Sequence, residues 1–146
     1  IHKVSEYDVA VVGIPYDSGA SNRSGTRLGP AGIRHASSQI SPFNPDYGVD
    51  LYENIKLCDA GDIYTLPANA EKTFDQITKG IGYIFSQGVT PIVLGGDHST
   101  TFPTLRGISK YIDGIATLSK WTKKCTAQNG IIPLTCLTSA QKILCR

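Results

Sequence analysis

Methionine is absent from all 146 residues, and the chain begins at Ile1. Both features lead to the expectation that it is part of a longer protein. No run is long and apolar enough to span a membrane. A signal peptide is not expected either, because the apolar stretch from Val9 to Ile14 is too short and follows Glu6 and Asp8. Neither GxxxxGK[ST] nor GxGxxG occurs, which argues against the common phosphate-cradling loops. The four cysteines, Cys58, Cys125, Cys136 and Cys145, form no CxxC pair, and no histidine follows His98, so a zinc pattern is missing too. A disulfide among them stays open, but free thiols are expected, since the other segments have an intracellular character. Acid is absent after Asp113. The last part of the chain, 115–146, carries five Lys/Arg and no Asp/Glu, whereas 1–114 carries nine against twelve.

What remains is globular in composition, 40% apolar and 18% charged, and long enough for one domain with a core. Asp8-Val9-Ala10-Val11-Val12-Gly13-Ile14-Pro15 is a continuous apolar run of the kind buried on both faces of a parallel sheet. A polar loop follows to Leu28, and Gly29-Pro30 starts a helix with Ile33, Ala36, Ser37 and Ile40 on one face. Ile55 to Asp62 reads as a second strand. Asn69 is placed to cap a helix whose stripe is Ala70, Phe74, Ile77, Ile81, Ile84 and Phe85, with Gly80 and Gly82 weakening it and Gly88 ending it. Pro91 to Leu94 reads as a third, buried strand. Ser99 is placed to cap a last helix with Phe102, Leu105, Ile108 and Ile112 inward, ending at Gly114. Alternating strands and helices predict an α/β fold with a parallel sheet. Ligands of such sheets bind beyond the carboxyl ends of the strands. Three polar endings are therefore expected on one edge: Asp17 with its loop, Asp59 with Asp62, and Asp97-His98-Ser99.

Of these, Val93-Leu94-Gly95-Gly96-Asp97-His98-Ser99 carries the sharpest chemistry. Its glycines permit a tight turn and close backbone approach. A neutral imidazole is the commonest metal ligand, and the adjacent Asp97 carboxylate is a candidate for orienting it. A bare histidine is more often only a hydrogen-bonding cap, and the residues around this one reverse that preference. The Asp17–Pro30 loop, with Asp17, Asn22 and Arg23 as candidate substrate contacts, reads either as a pocket wall or as a solvated surface loop. Asp59 and Asp62 read as ligands or, more commonly, as caps or pocket charge. His35 is expected to be exposed on its helix, and His2 carries no argument.

"GIPYDSGASNRSGTRLGPAGIR", "DAGDI" and "PIVLGGDHS" occur in this order. Together they resemble the ureohydrolases, the arginase and agmatinase family, and its agmatinase-like branch in particular, over roughly residues 7 to 113. The resemblance implies an arginase-like three-layer α/β/α fold with a parallel sheet, incomplete here. It implies hydrolysis of a linear guanidino compound such as agmatine to urea and an amine by hydroxide bridging a manganese pair, or nickel in some relatives. His98, the histidine of GGDHS, would then be one metal ligand. It also implies a small cationic substrate and a homo-oligomer, with no nucleic acid or membrane partner, in the cytoplasm or a mitochondrion.

The family's further ligands come from later DAHxD and SxDxDxxDP motifs, and neither occurs in this sequence. The chain is therefore read as an amino-terminal ureohydrolase part, residues 1–114, with an atypical tail, 115–146, expected to pack poorly. Alone it is expected to be inactive and to hold no metal pair. The alternative is a non-catalytic product that associates with full-length subunits.

Overall fold

The computed structural model describes residues 3–112, together with the backbone of three short strands between 115 and 145. Strand β1 (Val9–Gly13) lies at the centre of a three-stranded parallel sheet. Its run of β-branched residues suits that place, and Ala10 and Val12 are fully buried. A 3-10 turn (Thr26–Leu28) leads into helix α1 (Gly29–Ser37), which has Pro30 in its first turn. A small antiparallel hairpin, β2 (Phe43–Asn44) with β3 (Val49–Asp50), and a one-turn helix α2 (Leu51–Asn54) follow. Strand β4 (Leu57–Asp62) pairs with one side of β1, and β5 (Thr90–Leu94) with the other.

Between β4 and β5 runs α3 (Ala70–Ser86). Its side-chain cap is the expected one, since Asn69 Oδ1 accepts from Lys72 N–H at 2.9 Å. The helix buries Ile77, Ile81 and Ile84 completely. Each such side chain contributes about 1.5–3 kcal/mol of transfer free energy. Gly88, at φ 77°, closes the helix in the left-handed conformation that glycine adopts without strain. Helix α4 (Thr101–Ile108) buries Leu105 and Ile108, and half-buries Phe102. It packs on α3 backbone to backbone. A Cβ on Gly107 would come within 2.8 Å of the Thr78 carbonyl, and one on Gly82 within 3.3 Å of the Gly107 carbonyl. Gly82, which local propensity counts as a weakness of α3, thus faces this crossing. None of the helices is long and apolar enough to cross a membrane among the described residues.

Several sequence expectations change. Strand β5 is an edge strand of this sheet, not a strand buried on both sides, and Ile92 is 46% exposed. The intended inner face of α1 is uncovered: Ile33 and Ile40 are 51% and 72% exposed, because no described element lies over them. Helix α4 stops at Ile108, and Asp97, not Ser99, provides the side-chain cap that precedes it. In the tail, β6 (Ile115–Ser119) pairs antiparallel with β7 (Thr122–Cys125) and β8 (Lys142–Cys145) in a sheet of its own. The expectations of free thiols at Cys125, Cys136 and Cys145 and of poor packing in the tail lie outside the described residues.

Candidate functional site

The strand order β4-β1-β5 places a topological switch between β1 and β5. The chain leaves β1 for β4 on one side and returns to β5 on the other, and in such sheets the carboxyl ends of the strands at the switch are where ligands bind. Those segments are the Ile14–Leu28 loop and Gly95–Ser99. They are locked together at close range. Asp97 N–H donates to the Tyr16 carbonyl at 2.8 Å, and Ile14 N–H to the Leu94 carbonyl at 2.8 Å. A Cβ on Gly96 would lie 1.9 Å from the Tyr16 carbonyl oxygen, so only glycine fits there.

His98 opens a 3-10 turn, His98–Thr100, which runs into α4. Asp97 caps that turn by accepting from Ser99 N–H at 2.9 Å, and it also accepts from Ser99 Oγ–H. Its other oxygen, Oδ2, accepts from Gly19 N–H at 2.7 Å. The imidazole of His98 is exposed and makes no hydrogen bond among the described residues. The carboxylate that the sequence offered as an imidazole orienter is therefore engaged by backbone and hydroxyl donors.

Asp17 is the organiser of its own loop. Its Oδ2 accepts from Gly25 N–H at 2.7 Å and from Arg27 Nη1–H at 2.9 Å. The Gly25 bond, followed by the Arg27 contacts, holds the Asp17 carboxyl below its ordinary value. Ser18 Oγ–H ties the same loop to the Pro67 carbonyl, 3.0 Å away. Asn22 and Arg23 lie on the exposed stretch between these anchors. At the end of β4, Arg34 from α1 donates Nε–H to Asp59 at 2.6 Å and Nη1–H to Asp62. Arg34 thereby lowers the Asp59 carboxyl, and the two acids raise the guanidinium further above its ordinary value, Asp59 foremost. Cys58 beside them is a free thiol whose pKa burial pushes up, with Asp59 adding to the effect. Asp62 lies over Gly13, where a Cβ would meet its Oδ1 at 1.9 Å.

Sequence reasoning placed Asp17, Asp97 and His98 at one edge, and the structure brings the Asp17 loop and Asp97 into contact. It places Asp59 and Asp62 with Arg34, which the sequence reading had not singled out. An arginine on α1, separated by 25 residues from Asp59, leaves no local signal of that pairing. A groove of about 490 Å³ is lined by Asp62, Tyr64, Gln76, Lys79 and Tyr83, and includes neither His98 nor the Asp17–Leu28 loop. Among the described residues no three His, Cys, Asp or Glu side chains gather in a metal-holding group. His98 is a competent single ligand. A manganese pair needs several hard oxygen donors, and the nearby carboxylates are taken up by N–H, O–H and guanidinium groups. The described donor set therefore does not by itself fit a binuclear centre.

The strand order and the flanking helices define a parallel α/β protein, with an exposed imidazole after the strand at the switch point. More particularly, the chain belongs to the arginase family, whose profile matches residues 7–119. It is 40% identical over 103 residues to the guanidinobutyrase of Pseudomonas aeruginosa, covering 70% of this chain and 32% of that protein. Its fold superposes on the proclavaminate amidino hydrolase of Streptomyces clavuligerus with a TM-score of 0.69 at 34% identity, over 74% of this chain and 36% of that one. A formiminoglutamase from Trypanosoma cruzi, solved with Mn²⁺, gives a TM-score of 0.66 at 27% identity, over 75% and 37% of the two chains. The fold is thus an incomplete arginase-like α/β fold. The chain spans about a third of the length of the curated relatives it matches.

Proposed function

We propose that this chain is the amino-terminal part of an agmatinase-type hydrolase, which cleaves a linear guanidino compound to urea and an amine. The observation that carries the reading is the state of His98. Its imidazole is exposed, makes no hydrogen bond among the described residues, and follows the strand at the sheet's switch point, while the adjacent Asp97 is engaged elsewhere. An imidazole without a protein partner is available as a ligand, which supports the metal-binding reading over that of a structural cap. Manganese is the proposed metal and nickel the alternative. His98 supplies one donor, and the carboxylates that complete the pair come from motifs beyond this sequence. No step of the hydrolysis is assigned to this chain's own residues. Asn22 and Arg23, on the exposed part of the loop, are proposed to meet the substrate.

Residues 1–114 are proposed to be the family part and 115–146 an atypical tail. The complete protein is proposed to be a homo-oligomer of the cytoplasm or a mitochondrion. The test is metal content. In a complete chain carrying residues 1–112 followed by DAHxD and SxDxDxxDP, His98→Ala should lower bound manganese per subunit and leave the circular dichroism spectrum unchanged. Unchanged stoichiometry and affinity would make His98 structural.

Among the described residues β5 has an unpaired edge and Ile92 is exposed, which favours a second reading, in which this chain pairs with full-length subunits without catalysing anything. Sedimentation of the two chains mixed decides it: separate boundaries at all ratios would dismiss this reading.

A further inference from the structure

Asp97 is read from the sequence as a partner for the imidazole of His98, but its two oxygens point elsewhere. Oδ1 accepts from Ser99 N–H and Oγ–H, which shapes the 3-10 turn that carries His98. Oδ2 accepts from Gly19 N–H, 78 residues away, at 2.7 Å. The contact is tight, since a Cβ on Gly19 would approach Ser99 Oγ to 2.9 Å and Asp97 Oδ2 to 3.0 Å. Gly19 stands at the start of the exposed stretch that holds Asn22 and Arg23. Asp17, through Gly25 and Arg27, closes the far end of that stretch.

We infer that Asp97 is a positioning residue that couples the Asn22–Arg23 loop to the turn presenting His98, one carboxylate oxygen serving each side. The functional meaning rests on the hydrolase reading: the same group sets the substrate loop and the metal-ligand turn in one register. The coupling itself does not rest on it, and is tested without any substrate or metal. Two acceptor oxygens are needed, and a carboxylate has them. The asparagine amide has one, its other arm being a donor.

Amide hydrogen exchange of this chain, followed by NMR, reads both sides at once. In Asp97→Ala, Gly19 and Ser99 amides should both exchange about tenfold to a hundredfold faster, the range for bonds to a charged acceptor. In the isosteric Asp97→Asn one of the two should stay protected and the other be lost. The Gly19 amide proton should also move upfield wherever its protection is lost. Protection of Ile77–Ile84 in α3 should hold in both variants, which separates coupling from a general loss of stability. If Asp97→Ala does not fold, Asp97→Asn decides alone. Gly19 and Ser99 both protected as before in Asp97→Asn would overturn the inference, as would a uniform loss that includes α3. Neither result touches the metal-content test of His98, so the two readings fail separately.

Discussion

Gly96→Ala tests whether the segments after β1 and β5 are truly interlocked. The added Cβ would fall 1.9 Å from the Tyr16 carbonyl oxygen, 2.8 Å from its carbon and 2.9 Å from the Tyr16 nitrogen. All three are backbone atoms, so no side chain can swing aside. Carbon contacts are comfortable near about 3.5 Å, so the two segments must part by more than an ångström. That separation breaks the 2.8 Å bond from Asp97 N–H to the Tyr16 carbonyl. Overpacking costs about 1–3 kcal/mol and a lost hydrogen bond about 0.5–1.5 kcal/mol, for a total of about 1.5–4.5 kcal/mol. Against a domain stability of about 5–15 kcal/mol this is a large shift. Urea denaturation followed by circular dichroism measures it. Gly32→Ala is the control, since nothing lies within 4 Å of its added Cβ on α1. There the change should be neutral or stabilise by up to about 1 kcal/mol, because alanine is the better helix former. A Gly96→Ala loss below about 0.5 kcal/mol would refute the interlock.

His98→Ala in this chain should shift the unfolding free energy by no more than about 0.5 kcal/mol, because an exposed side chain without partners holds nothing together; a larger loss by the same denaturation assay would make it structural. The Asp59 and Asp17 carboxyls sit below their ordinary value of 3.8 in the fold. The native state therefore binds fewer protons than the unfolded one, and their contribution is complete above the unfolded value and lost as pH falls through the native values. Denaturation midpoints should accordingly drop below about pH 4, and Asp59→Asn should flatten that drop; an unchanged profile would mean that the Arg34 pairing is idle. Sequencing the gene past the codon for residue 114 tests the origin of the tail: DAHxD encoded in another frame would make it a displaced reading of a family segment, and its absence from every frame would dismiss that origin.

The elements of the parallel sheet were legible because each carries its own signal. The β-branched run marks β1, the Ile77–Ile81–Ile84 stripe marks α3, and Asn69 marks that helix's start. The meeting of the Asp17 loop with Asp97 was legible for the same reason, since both segments follow directly from the ends of neighbouring strands. What stayed hidden depends on neighbours far along the chain. Whether Ile33, Ile40 and Ile92 are covered is decided by which elements are present beside them, and apolar periodicity reports only a tendency to be covered. Asp97's engagement with Gly19 and Arg34's with Asp59 and Asp62 are tertiary registers, invisible to local spacing. Gly82 reads as a poor helix residue until the α3–α4 crossing, where it meets the Gly107 carbonyl, supplies the reason for it.

The most direct test of the central claim is urea release by this chain itself. The purified protein is incubated with manganese or nickel and with agmatine, guanidinobutyrate or guanidine, alongside His98→Ala. One imidazole without its carboxylate partners should hold no metal pair, so the two proteins should be equally silent. Metal-dependent turnover well above the His98→Ala control would contradict the account, because it would mean that the chain carries a complete active site.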